Sequence, residues 1–230
     1  MARIILIETS AAVCSTALVS DGAIVSLRLC EDARRQSSLT APMIKEMLDE
    51  CCISARDCDA VCVSKGPGSY TGLRVGVSSA KGLCFGAGLP LLAVGTLDLL
   101  AAQAADEGAI PQGCKYIIPL IDARRMEVYT AVFSPEGKRL DEVRNLIVEP
   151  GCFSSQLSEG PVLFIGDAAG KCKDVLAGPN AFFHQCNPLA TSMLRPALEA
   201  YKEKRFEDIA YFEPLYLKQF IATVSKKKLF

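Results

Sequence analysis

The sequence predicts an α/β fold made of two tandem βββαβα domains with a cleft between them. Two observations carry that prediction. Short apolar runs alternate with amphipathic segments of helical length from the first residues onward. The pattern of the first half then returns at a displacement of 114 positions. Leu6-Ile7-Glu8 overlays Leu120-Ile121-Asp122, residues 16–20 (TALVS) overlay 130–134 (TAVFS), and Gly22 meets Gly137 after one inserted residue. An ordered set of matches at one spacing marks a duplicated unit. With 230 residues, the chain is long enough for two cores. The polar stretch 104–113 (AADEGAIPQG) divides residues 1–105 from 106–230.

Taken in order, residues 4–7, 14–19 and 23–29 read as strands, with Asp21-Gly22 as the hairpin turn between the last two. A helix is expected over 38–52, a strand over 60–64, a helix opened by the glycine loop 66–69, a strand over 90–94 and a helix over 96–105. In the second half, strands are expected at 117–121, at 127–133 and within 138–148. Beyond that, helical and strand signals alternate through Phe164 and Gly166, and an amphipathic helix is expected over roughly 189–204. The last 20 or so residues are expected to pack back on the first domain. This architecture resembles that of actin-like ATPases, a group of RNase H-like folds. In that plan, acids at the ends of the two first strands face a nucleotide cleft, and here they are Glu8 and Asp122. Two strand-end residues that merely hold turns are the competing reading.

Charge and composition narrow the function. Lys plus Arg number 25 and Asp plus Glu 26, so no global basic field for nucleic acid exists; only residues 226–228 form a basic cluster. No apolar run reaches membrane-spanning length, and MARIILIETS reads as a buried strand instead of a secretory leader, so a cytoplasmic protein without membrane contact is expected. Eleven cysteines, odd in number and without CxxC spacing, suggest neither a disulfide framework nor a zinc cradle. The lone histidine, His184, has no acidic neighbour in sequence, no GxSxG elbow occurs, and no metal or catalytic residue is assigned.

The stretch VSKGPGSYTGLRVGVSSAKG (63–82) raises two alternatives. Backbone N–H groups at a glycine-rich helix start can hold an anion, which makes Thr9, Ser10, Gly66, Gly68 and Ser69 candidates beside Glu8 and Asp122. Phosphate-loop spacing fails, however: GxGxxG needs glycine at Thr71, and no lysine stands in a P-loop position. The second alternative is close helix packing, because Gly72, Gly76 and Ala80 recur every four residues along a nearly uncharged helix. On the preceding helix, Leu39, Met43, Met47 and Cys51 form one stripe opposite Lys45, Glu46, Asp49 and Glu50. Methionines there serve either as core filler or as an adaptable interface.

GPGSYTGLRVG at 66–76, IETSAAVCSTALV at 7–19, IDARRMEVYTAVF at 121–133 and EPLYLK at 213–218 resemble the TsaB (YeaZ) family. The resemblance implies a bacterial, non-catalytic partner subunit of the machinery that makes threonylcarbamoyladenosine at position 37 of tRNA. The catalytic transfer belongs to a paralogue, TsaD, which carries an HxxxH metal motif on the helix after its fifth strand; here that place reads TLDLL, 96–100. The implied partners are TsaD, the ATPase TsaE, tRNA through the complex, and a second copy when the chain is alone. No cofactor of its own is implied: ATP and a metal belong to the partners, and weak nucleotide binding in the cleft stays open. Carried over position by position, the pairing residues are Leu39, Met43, Met47, Gly72, Val75, Gly76, Ser79 and Ala80. The family commonly has Asp where this chain has Glu8. An ATP-hydrolysing actin-like enzyme and a glycoprotease-like peptidase are the alternatives.

Overall fold

The computed structural model describes residues 2–218; the basic cluster at 226–228 lies outside the described residues. The chain opens with β1 (Ile4–Glu8), β2 (Cys14–Ser20) and β3 (Ala23–Cys30), followed by α1 (Gln36–Glu50), β4 (Ala60–Ser64), α2 (Tyr70–Ala87), β5 (Leu91–Val94) and α3 (Thr96–Asp106). The second half repeats this as β6 (Tyr116–Asp122), β7 (Glu127–Thr130), β8 (Arg144–Ile147), α4 (Ser154–Glu159), β9 (Val162–Gly166), α5 (Ala169–Leu176), β10 (Ala181–Gln185) and α6 (Leu194–Lys202). The sheets have equivalent orders, β3-β2-β1-β4-β5 and β8-β7-β6-β9-β10. In each, the first three strands are antiparallel and the last three parallel.

Every residue of β1 is buried, because both faces of the sheet are covered. Successive side chains alternate between two cores. Ile4 and Leu6 meet α3, α6 and the facing side of the second sheet, represented by Ile117, Leu163 and Ile165. Ile5 and Ile7 meet Ile44 and Met47 of α1 and Val77 and Ala80 of α2. On the far side, α4 and α5 cover Ile118, Leu120 and Phe164. The layers therefore run helix, sheet, shared helices, sheet, helix.

Departures from expectation concentrate in the second half. The strand expected over 127–133 is regular only as far as Thr130; after a break at residues 131 and 132, Phe133 exchanges two backbone hydrogen bonds with Ile117, still in the register of the β6–β7 pair. The segments after Val148 resolve into α4, β9, α5 and β10. With six and eight residues, α4 and α5 are too short to show a readable helical period. The expected closing helix is split into a 3-10 turn, Ala190–Met193, and α6. After α6 the chain returns to the first half. Glu207 bridges Leu91 on the edge of β5, Lys81 Nζ donates to the carbonyls of Ala210 and Phe212 at 3.2 and 3.1 Å, and Leu215 N donates to Lys65 O at 2.7 Å.

Candidate functional site: the cleft and the outer helix face

The turn after β1 and the start of α2 are built against each other. Thr9 Oγ1 donates to Gly72 O at 2.7 Å, and Ser69 N donates to Ser10 O at 2.7 Å. A Cβ on Gly68 would lie 2.3 Å from Ser10 O, one on Gly72 2.0 Å from Thr9 O, and one on Gly76 2.2 Å from Thr9 Oγ1. The close backbone approach behind the glycine pattern is thus made within the chain. This corrects the expectation that Gly72, Gly76 and Ala80 face a second body: all three are buried against the chain's own β1 turn and sheet. Met43 and Met47 are likewise enclosed, at 6% and 0% exposure, so their role as direct contacts is corrected too.

What α2 shows outward is a different stripe. Thr71, Arg74, Ser78, Gly82 and Phe85 are exposed at helical spacing, flanked by half-buried Val75 and Ser79, with half-buried Leu39 on α1. The stripe is small and weakly polar along its middle and aromatic at its end. Phe85 is 86% exposed, and Arg74 stacks on Tyr70 with its guanidinium carbon 4.3 Å from the ring centre. Beside this stripe, Ala41, Ile44, Leu48, Ile53, Ser79 and Leu83 line a mainly apolar groove of about 350 Å³ between α1 and α2. Sequence reasoning missed Phe85 because a single aromatic in an apolar helix reads as core; its spacing from Arg74 and Ser78 was the available signal.

A cleft of about 690 Å³ opens between the halves, with Ser10, Arg34, Gly68, Ser69, Asp122 and Arg124 in its walls and Lys218 at its edge. The two strand-end acids have opposite surroundings. Glu8 is fully buried; its Oε1 accepts from Ser10 N at 2.5 Å, while Oε2 has no hydrogen-bond partner among the described residues. Burial pushes its carboxyl above the ordinary range, against the opposing pull of hydrogen bonding from Ser10. Asp122 is exposed, accepts from Arg124 N at 2.7 Å and pairs with Lys171. A third acid, Asp167, accepts from Asp122 N at 2.8 Å and lines the same cleft. Burial raises Asp167 to about 6, opposed by that hydrogen bond and assisted by the charge of Asp122.

For a nucleotide with its metal, the fit is partial. Asp122, Ser10, Gly68 and Ser69 reach the cleft, whereas Glu8 and Thr9 are enclosed and Gly66 accepts from Thr96 N behind the loop. The first helical N–H groups are also partly used, since Ser69 Oγ accepts from Gly72 N at 3.3 Å. Glu8 is thus closed off from the cleft that Asp122 lines.

His184 has a partner that sequence distance concealed. Its Nε2 lies 2.6 Å from Glu107 Oε2 at the end of α3, 77 positions away in the chain, and Cys186 joins them. Burial, with the charge of Glu107 adding to it, pushes the Cys186 thiol to about 12. The remaining cysteines are free as well, and Cys14 and Cys62 are buried as small hydrophobes.

Two equivalent five-stranded sheets in tandem, sharing a helical layer and flanked by helices, define the actin-like, RNase H-like ATPase fold. Residues 30–212 match the family described as TsaD: tRNA N6-adenosine threonylcarbamoyltransferase. The chain is 30% identical to the Haemophilus influenzae tRNA threonylcarbamoyladenosine biosynthesis protein TsaB, over 98% of this chain and 96% of the relative. It is 29% identical to the Bacillus subtilis protein of the same name, over 94% and 93%. Among solved structures, YeaZ from Pseudomonas aeruginosa superposes with a TM-score of 0.81 at 26% identity, covering 94% of this chain and all of that one. The chain belongs to the TsaD-type family, in its TsaB (YeaZ) group.

Proposed function

We propose that this chain takes part in tRNA threonylcarbamoyladenosine biosynthesis as a non-catalytic subunit that binds and activates a TsaD-type paralogue. Support for the biosynthetic role comes from the names of its relatives. The observation that carries the non-catalytic reading is α3. Where the catalytic paralogue bears HxxxH, Thr96, Leu97, Leu99 and Leu100 are fully enclosed in the core between the sheets, and Asp98 pairs with Arg139 at 3.7 Å. Packing side chains occupy the place of metal ligands.

Pairing is assigned to the outward stripe of α2, centred on Ser78 and Phe85, with Leu39, Val75 and Ser79 at its margin. An aromatic so exposed, on a helix whose Ser79 and Leu83 line an apolar groove, is the kind of anchor that hot spots use. Ser78 and Gly82, both exposed and small, leave room for a partner's helix to come close beside that anchor. The same face serves for self-pairing when the chain is alone, and TsaE-type ATPase and tRNA join through the complex. The experiment is a reconstitution with TsaD, TsaE, the threonylcarbamoyl-adenylate synthase, ATP, threonine, bicarbonate and tRNA, with and without this chain. Modified tRNA is expected only in the complete mixture; equal yield without the chain contradicts the proposal.

A second reading, nucleotide binding in the cleft, is favoured by its volume and by Arg34, Arg124 and Lys218 around it. Calorimetry with magnesium-ATP tests it. Binding that Asp122→Asn abolishes supports this reading, and absence of heat rejects it.

A further inference from the structure

Away from the cleft, three side chains with metal-ligating atoms converge. His184 lies in β10 and Cys186 follows it by two residues; Cys186 N still donates to Gly166 O at 3.4 Å, so the chain stays extended there. Residues two apart on an extended chain project to the same side. On that side stands Glu107, the residue that ends α3. One ligating atom from each of the three lies within 4.8 Å of the others. From this geometry we infer that Glu107, His184 and Cys186 bind one Zn²⁺ ion, which fastens the end of α3 to the last strand of the second sheet.

The donor set is a carboxylate oxygen, an imidazole nitrogen and a thiolate, a combination that suits zinc far better than magnesium or calcium. His184 Nε2 and Glu107 Oε2, now hydrogen-bonded at 2.6 Å, need to part to roughly 3.3 Å for tetrahedral bonds of about 2.0–2.1 Å. That displacement is within reach of side-chain rotation, since Glu107 is exposed and His184 half-buried. On binding, the S–H proton of Cys186 leaves to solvent as the zinc–sulfur bond forms, and His184 coordinates through Nε2 with its proton on Nδ1. No electron changes hands. The fourth position falls to water on the exposed side of Glu107.

The surroundings support a held ligand. Gln103, fully buried on α3, donates through Nε2 to Glu107 Oε1 at 2.8 Å and to Asn187 O at 3.0 Å, which fixes the carboxylate from behind. Oriented outer partners of this sort accompany metal-ligating residues. The buried Gln103 Oε1 has no hydrogen-bond partner among the described residues. A cation here would also sit at the negative end of the α3 dipole.

The test uses the full chain, freed of metal by chelation and titrated with Co²⁺ and then Zn²⁺. Wild type is expected to show a thiolate-to-cobalt charge-transfer absorption saturating at one equivalent and displaced by zinc. Zinc at about a hundredfold excess over its Kd should raise Tm by roughly 5–10 °C. Cys186→Ser and His184→Asn should each lose the absorption and the zinc-dependent rise, whereas Cys152→Ser should keep both. Circular dichroism reports whether each variant is folded, and the two ligand substitutions back each other up. No absorption in wild type, or an absorption retained in Cys186→Ser, overturns the inference and leaves a plain His184–Glu107 ion pair.

Discussion

The two halves have the same strand order and differ in what covers them. In the first, α1 and α2 run for 15 and 18 residues; in the second, α4 and α5 run for six and eight. The matched acids differ in parallel, with Glu8 enclosed and Asp122 open to the cleft. A duplicated framework thus carries different outer layers, and the long helix with small residues and an exposed aromatic on its outward stripe belongs to the first half. Divergence after duplication has thus left a long, weakly polar outer helix face on the first half and an open strand-end carboxylate on the second.

The largest effect is expected from breaking the packing of α2. Gly72→Ala puts a methyl group 2.0 Å from the backbone oxygen of Thr9, and neither atom sits on a flexible end. Urea unfolding should show a loss of about 1–3 kcal/mol. Gly82→Ala on the same helix meets nothing within 4 Å among the described residues and should be neutral or gain up to about 1 kcal/mol from helix propensity. Equal effects would show that the inner stripe is not the packed one.

The acids provide the next contrast. Because burial raises the folded-state pKa of Glu8 above its unfolded value, its folded form holds the proton more tightly, and stability falls as pH rises from about 4.5 through that raised value. Glu8→Gln should therefore flatten the pH dependence of Tm and stabilise the protein at neutral pH. Asp167→Asn should likewise remove a fall in stability between about pH 4 and 6. Smallest of all, Asp122→Asn removes a partly exposed pairing with Lys171 and should change unfolding free energy by about 0–1 kcal/mol.

Much of this was legible in the sequence, for physical reasons. Strands such as β1 and β4 are wholly buried and read as continuous apolar runs, and the displacement of 114 exposed the duplication. What escaped was of two kinds. The outer helices of the second half are too short for their period to show, and β10 is a half-exposed edge strand. Contacts between distant positions left no local trace: Thr9 against Gly72 and Gly76 reversed the reading of the small-residue stripe, and Glu107 beside His184 spans 77 positions. A stripe of glycines announces a close neighbour without saying whether that neighbour is the same chain.

In the proposed pairing, the outward stripe of α2 meets a TsaD-type partner while the glycine stripe holds the fold. Calorimetric titration of that partner with wild-type chain and with a Ser78→Arg/Phe85→Ser variant tests it directly. The first change puts a long charged side chain where a partner is expected to come close, and the second removes the aromatic anchor. The variant is expected to show at least a tenfold weaker Kd, or no measurable binding, with Tm within about 3 °C of wild type, because both side chains are exposed. An unchanged Kd in the folded variant would contradict it.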